Sequence, residues 1–415
     1  MPEHVVAIVG GASAGSTAAE ILAEAGMKVV VIEQNPKPYG KIEDGLPRWH
    51  DIQRRKEYEK IMARLDRPNI TYLPNTKLGQ DLPFEELTKE WGFSAVLLAV
   101  GAWSDRPPDV EGLEQYIDKG LIFQNPFIYW YNHKNEKSYD GPVYDIPEDA
   151  GVFGGGLASV DVVKAVQMEV YERVLKAKGI ECTMKELEHK GITAFCEEKG
   201  IDPTSLGVKD CTLYYRRRML DMPLAEPKDR SDEALEKAQQ VRTKILTMAM
   251  KKFRFKYEER HLAKEAIIED GRLVGFIFRR TRVEGRKAIP LEGTEVEKRH
   301  PLWISSIGSI PEPLPGVEMN GAYYKFEDWD LGKYEPLENV WGIGNTVTGQ
   351  GNIRLSVEHG KKVANYLVEQ AKGWTPLSDE QVAAVMAKVA ARQAEVGFDG
   401  DFKGWVEKNT PPDME

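Results

Sequence analysis

Cysteine is scarce in this chain of 415 residues: Cys182, Cys196 and Cys211 stand far apart, and no Cys-x-x-Cys pair occurs. That gives no support to a redox dithiol or to a local zinc or iron–sulfur site. Such sparse use fits reduced thiols in a cytoplasmic protein. Long apolar runs are lacking too, and none approaches the roughly eighteen residues that a bilayer span requires. The first strand-like run begins at His4, almost at the initiator Met, so no signal peptide is expected. Basic charge is in deficit, with 56 Lys and Arg against 66 Asp and Glu and a net charge of −10. A general nucleic-acid binder would carry a basic surface instead. The length is enough for two or three domains with their own cores. With dithiols and metals set aside, redox chemistry would have to run through organic cofactors.

Glycine marks the chemistry. Gly10-Gly11-Ala12-Ser13-Ala14-Gly15 follows the apolar run His4–Val9, and 144 residues later Gly154-Gly155-Gly156-Leu157-Ala158-Ser159 follows Ala150–Phe153. One glycine-rich loop between a strand and a helix is a weak signal, whereas two suggest two nucleotides in one protein. Around the first loop the spacing predicts a strand, a tight turn, an Ala-rich helix over 16–25 stopped by Gly26, and the buried strand Val29–Ile32. Glu33 then stands where an acid accepts hydrogen bonds from an adenosine ribose. Gly10 suits the turn, Ala12 lets backbone amides approach a pyrophosphate, and Gly15 allows helix to pack on strand. Ser13 and Ala14 complete this cradle. A further apolar strand, Phe93–Val100, ends in Gly101 and Ala102.

This strand end, with Pro107, Pro108 and Gly112 after it, resembles the exit from the FAD domain in flavoprotein reductases. Tyr215-Arg216-Arg217, then Met222-Pro223, is similar to a signature of the small subunit of glutamate synthase. The stretch Pro301–Gly308, then Pro313–Gly316, resembles the return strand of the adrenodoxin reductase type of ferredoxin–NADP reductase. Gly344-Asn345 and the following Gly351-Asn352-Ile353 resemble the Gly-Asp element and helix start on the FAD ribityl chain, with Asn for Asp. The segment Tyr39–His50 resembles the one that crosses the flavin. There Lys41 and Asp44 replace more apolar residues, and His50 is either a catalytic partner of the flavin or a structural surface histidine.

The resemblance implies an α/β fold with two Rossmann-like, doubly wound domains, an NAD(P) domain inserted into a discontinuous FAD domain. The expected parts are FAD domain 1–110 and 310–372, NAD(P)H domain 111–309 with a helical excursion, and a tail 373–415. It implies FAD on Gly10, Ala12, Ser13, Ala14, Gly15, Glu33, Gly101, Gly344, Asn345, Gly351, Asn352 and Ile353. It places NADP(H), or NAD(H), on Gly154, Gly156, Leu157, Ala158, Arg216 and Arg217. Paired arginines suit a 2′-phosphate, although adjacent side chains on a strand alternate faces and the run could be solvated charge. The implied activity is that of a ferredoxin–NADP reductase, with hydride moving between NAD(P)H and FAD and single electrons exchanged with an iron–sulfur partner. The alternatives are an FAD subunit of a larger iron–sulfur enzyme, such as a glutamate synthase or 2-oxoacid oxidoreductase, and an NADPH-dependent small-molecule reductase. The tail has helical spacing at Val382, Val385, Met386 and Val389, and could wrap the body or dock on a partner.

Overall fold

The computed structural model describes residues 3–137, 139–349 and 351–410. The chain divides into two compact units, Met1–Ser104 with Ser309–Glu415, and Asp105–Gly308. The core of the first unit is built from short β-branched runs: β1 (Val5–Val9), β2 (Lys28–Ile32), β3 (Ile70–Leu73) and β4 (Ala95–Leu98). These pair in parallel with β1 central, β2 and β3 on one side, β4 and Val340–Gly342 on the other. Strand order thus reverses at β1, and in open α/β sheets the crevice at such a switch point is where ligands bind.

Both faces of this sheet are covered, which is why its strands read as unbroken apolar runs. On one face α1 (Ser13–Glu24) and the helix Ile353–Gln370 bury Ala18, Leu22, Val363 and Leu367 against Val6, Ile8 and Leu97. The other face settles the tail. Helix Asp379–Glu395 buries Val382, Val385 and Val389 in one cluster with Val5, Val30 and Leu98. Beyond it Trp405 donates its indole N–H to the Pro36 carbonyl at 3.0 Å. The tail therefore belongs to the first unit's core, and residues 411–415 lie outside the described part.

The second unit holds five parallel strands in the order Leu121–Phe123, Trp303–Ser306, Gly151–Gly154, Thr212–Tyr215 and Lys256–Glu259. Helix Leu157–Ala177 and the shorter Met184–Lys190 and Ile192–Glu198 form the expected excursion. An antiparallel sheet, His261–Glu269 with Arg272–Glu284 and its partners, joins the same unit. Its Phe276 and Phe278 pack with Phe153, Tyr214 and Trp303 into an aromatic core.

The approach of the helix Ile353–Gln370 to α1 tests this packing. A Cβ on Gly360 would lie 2.8 Å from the Ala14 carbonyl oxygen across the two helices. Alanine is the better helix former by ~0.5–1 kcal/mol, yet the overlap costs ~1–3 kcal/mol. Gly360→Ala should therefore lower the urea midpoint of the first unit, and a raised midpoint would contradict the packing described.

Candidate nucleotide sites

At the carboxyl end of β1 the chain turns through Gly10, whose φ is +104°. A Cβ on Gly10 would meet the Ala99 carbonyl at 2.5 Å, and one on Gly15 would sit 1.8 Å from the Gly10 carbonyl. Only glycine fits either place. Ala12 caps α1 without any side-chain hydrogen bond, and the first turn carries no acid, so the dipole's positive end at Ser13 and Ala14 remains available to an anion. Glu33 follows β2 directly and is 4% exposed. Its carboxylate accepts the Gly11 N–H at 2.9 Å and the Asn35 N–H at 3.1 Å. Burial pushes its pKa up to about 7, with those N–H groups opposing the rise and the Asp44 charge adding to it. Gly11 thus has a role that the glycine spacing alone did not assign; the acid 22 residues downstream was the available signal.

The last part of the chain returns to this loop. Gly344, with φ +66°, follows the strand Val340–Gly342, and a Cβ on it would meet that of Ala14 at 2.6 Å. Its N–H donates to His359 Nδ1 at 3.0 Å, which makes that nitrogen an acceptor. The Gly101 N–H donates to Thr346 Oγ1 at 2.9 Å, which ties the end of β4 to the same turn. Gly10–Gly15, Glu33, Gly101 and Gly344–Asn345 are therefore gathered at one edge of the sheet. Asn345 Oδ1 is buried there and has no hydrogen-bond partner among the described residues. Such an acceptor is costly unless a ligand supplies a donor. Asn352 caps the next helix by accepting the N–H groups of Arg354 and Leu355, with Gly351 exposed before it and Ile353 opening the helix. Gln350 lies outside the described residues. The roles of Thr346 and His359 escaped the sequence reading, because each depends on a partner far away in the chain.

His50 also belongs to this unit. It precedes the helix Asp51–Leu65 and lines an open cleft of about 400 Å³ with Trp49, Ile52, Gln53, Lys56 and Glu57. None of the glycine-loop residues lines that cleft.

In the second unit, Gly154–Gly156 leads into helix Leu157–Ala177, again with no side-chain cap and no acid in the first turn. Leu157 and Ala158 are exposed at its start. Ser159 replaces the usual third glycine because Gly154 leaves the room: a Cβ on Gly154 would be 2.2 Å from that of Ser159. The Tyr215 ring covers Gly155, where a Cβ would meet it at 2.1 Å. The structure divides the three arginines that follow. Arg217 donates from Nε to the Tyr215 hydroxyl at 2.9 Å, and Arg218 is held by Asp221 through Nε and Nη2. Arg216 is exposed, its backbone carbonyl accepts from Thr281 Oγ1 at 2.7 Å, and its charge opposes the burial that raises the pKa of Tyr215.

The three thiols are buried. Burial pushes Cys182 up to about 11 and raises Cys196 and Cys211 as well, so none is a ready nucleophile at neutral pH. No cluster of His, Cys, Asp and Glu able to hold a metal occurs among the described residues, and none of the described helices is long and apolar enough to cross a membrane.

Residues 4–200 match the family described as pyridine nucleotide-disulphide oxidoreductase. The resemblance read from the sequence stands. A putative oxidoreductase, UacF of Escherichia coli, is 23% identical over 86% of this chain and 49% of its own length. A probable ferredoxin/ferredoxin–NADP reductase of Mycobacterium leprae is 32% identical over 38% of this chain and 28% of its own. The chain thus spans about half of the first relative and under a third of the second. In fold it is similar to FprA of Mycobacterium tuberculosis, solved with NADPH, with a TM-score of 0.69 at 20% identity, covering 94% of this chain and 91% of that one. The α/β class with Rossmann-like parallel sheets is therefore the observed one.

Glu33 makes the first site measurable without a cofactor. The unfolded chain releases this proton near 4.5, whereas the folded one holds it to about 7. Stability of the flavin-free protein therefore falls as pH rises through that window, by ~3 kcal/mol at most. Glu33→Gln should flatten this loss in urea titrations at pH 5 and 8. An unchanged pH dependence would mean that Glu33 is already ionised at pH 5.

Proposed function

We propose that the chain is an FAD-dependent electron-transfer oxidoreductase that moves hydride between NAD(P)H and FAD and exchanges single electrons with an iron–sulfur partner. One observation carries the FAD assignment: the buried, unpartnered Asn345 Oδ1 sits where the Gly10–Gly15 loop and the Gly344 turn meet. The residues there fit the cofactor. In this reading the start of α1 takes the pyrophosphate, Glu33 the adenosine ribose hydroxyls, and Asn345 a hydroxyl of the ribityl chain. Gly101 and Thr346 hold the floor, and Asn352 and Ile353 start a helix whose positive end favours negative charge on the flavin. The flavin supplies the exchange of a two-electron donor for a one-electron partner. The protein's part is orientation and electrostatics, and its buried thiols give no route through a dithiol.

In the second unit the Gly154–Gly156 loop and the turn at Leu157 and Ala158 would hold the nicotinamide cofactor's pyrophosphate. Arg216 is the arginine we assign to the 2′-phosphate, with Arg217 steadying the Tyr215 ring over Gly155. NADPH is then preferred to NADH. A ferredoxin is the partner class that this activity needs, and a cytoplasmic setting suits both cofactor and partner. His50, from the segment that resembles the flavin crossing, is the candidate catalytic partner of the flavin. The second reading, an FAD subunit of a larger iron–sulfur enzyme such as a glutamate synthase, is favoured by the 28% identity over 38% of this chain to the glutamate synthase [NADPH] small chain of Bacillus subtilis.

Steady-state oxidation of NADPH and NADH with a ferredoxin acceptor tests the assignment. A charge-assisted contact contributes ~1.5–3 kcal/mol, so Arg216→Ser should raise KM for NADPH by ~10–100-fold and leave NADH nearly unchanged. Equal effects on both cofactors would remove Arg216 from the phosphate.

A further inference from the structure

The segment that follows β2 carries a charge in a place where the glycine loop has none of its own. Gly40 presses on that loop, since a Cβ built on it would lie 3.1 Å from the Ala12 Cβ, one residue before α1 begins. The next residue, Lys41, is half-buried and reaches across to the end of β4. Its Nζ stands 5.1 Å from the centroid of the Trp103 ring and donates to Ser309 Oγ at 3.2 Å. Trp103 is itself fixed by donating its indole N–H to the Val100 carbonyl at 3.1 Å, two residues beyond Gly101. Trp103 lies beside Gly101, where a Cβ would be 3.6 Å from its indole nitrogen, and Lys41 follows the residue that faces Ala12; Gly101 and Ala12 are two positions of the FAD cradle.

Other charges of the segment act on different groups. Lys37 and Glu43 form a buried ion pair. Asp44 acts on Glu33 and Glu43, raising the pKa of both, and so faces the ribose end of the cradle. The resemblance places apolar residues at 41 and 44 and an acid at 345. Asn345 removes that negative charge and Lys41 adds a positive one, which act in the same direction, while Asp44 adds a negative charge beside Glu33 and Glu43.

We propose that Lys41, held by Trp103 and Ser309, is the residue that sets the reduction potential of the bound flavin, raising it by stabilising the charge gained on reduction. This inference rests on the FAD reading above. A hydride brings two electrons and one proton, so its arrival leaves the bound group one unit more negative, with the nicotinamide one unit more positive. A partly desolvated ammonium beside the cradle favours that product over the oxidised form, because the interaction is screened far less than in water.

The test is a potentiometric titration of the FAD-loaded protein, comparing wild type with Lys41→Leu, Lys41→Gln and Lys41→Arg. Removing the charge should lower the two-electron equilibrium constant by about tenfold or more, a fall of ~30 mV or more in the midpoint. Lys41→Arg should restore most of it. Lys41→Gln keeps the measurement available should the leucine variant fail to fold. Equal midpoints in wild type and Lys41→Gln, with FAD bound in both, would overturn this inference and leave the FAD assignment intact. A wild-type protein that takes up no FAD would overturn both.

Discussion

A backbone approach too close for any side chain governs the first unit. The Gly15 Cα faces the Gly10 carbonyl with no room for a Cβ, Gly10 faces that of Ala99, and Gly344 faces Ala14. These contacts bring the ends of β1, β4 and Val340–Gly342 to one edge, and Gly360 lets the long helix Ile353–Gln370 lie against α1. Residues some 330 positions apart in the chain thereby form one cradle. The second unit follows the same rule with different residues: Gly154 leaves room for Ser159, and Gly155 for the Tyr215 ring.

Two features of that edge run against packing alone. Glu33 is buried, at a cost large enough to move its titration towards neutrality, although two backbone N–H groups already donate to it. Asn345 presents an acceptor that no described residue satisfies. Stability alone would select against both features. Ribose and ribityl hydroxyls are donors of the kind that would complete them.

Much of this was legible in the sequence because the strong signals were local. Short apolar runs marked β1, β2 and Gly151–Gly154, two of them ending at a glycine-rich loop, and the short interval to Glu33 defined one mononucleotide-binding unit. What was not legible depends on distant partners. The strand Arg272–Glu284 carries a polar run at Arg279–Arg282, and its pairing with His261–Glu269 and its burial of Phe276 and Phe278 give it a role. The helical period of the tail was visible, but which surface would receive Val382, Val385 and Val389 was not. The same holds for His359, whose acceptor role needs Gly344, and for Thr346, which needs Gly101. Arg216 and Arg217 look equivalent in sequence, and Tyr215 separates them.

The account depends first on the flavin. The most direct measurement is the flavin content and visible spectrum of the purified protein, before and after reconstitution with FAD, followed by anaerobic addition of NADPH. One FAD per chain, with loss of the flavin band on adding NADPH, is the expected result. A chain that stays colourless with FAD in excess, or a bound flavin that neither NADPH nor NADH reduces, would contradict the central claim.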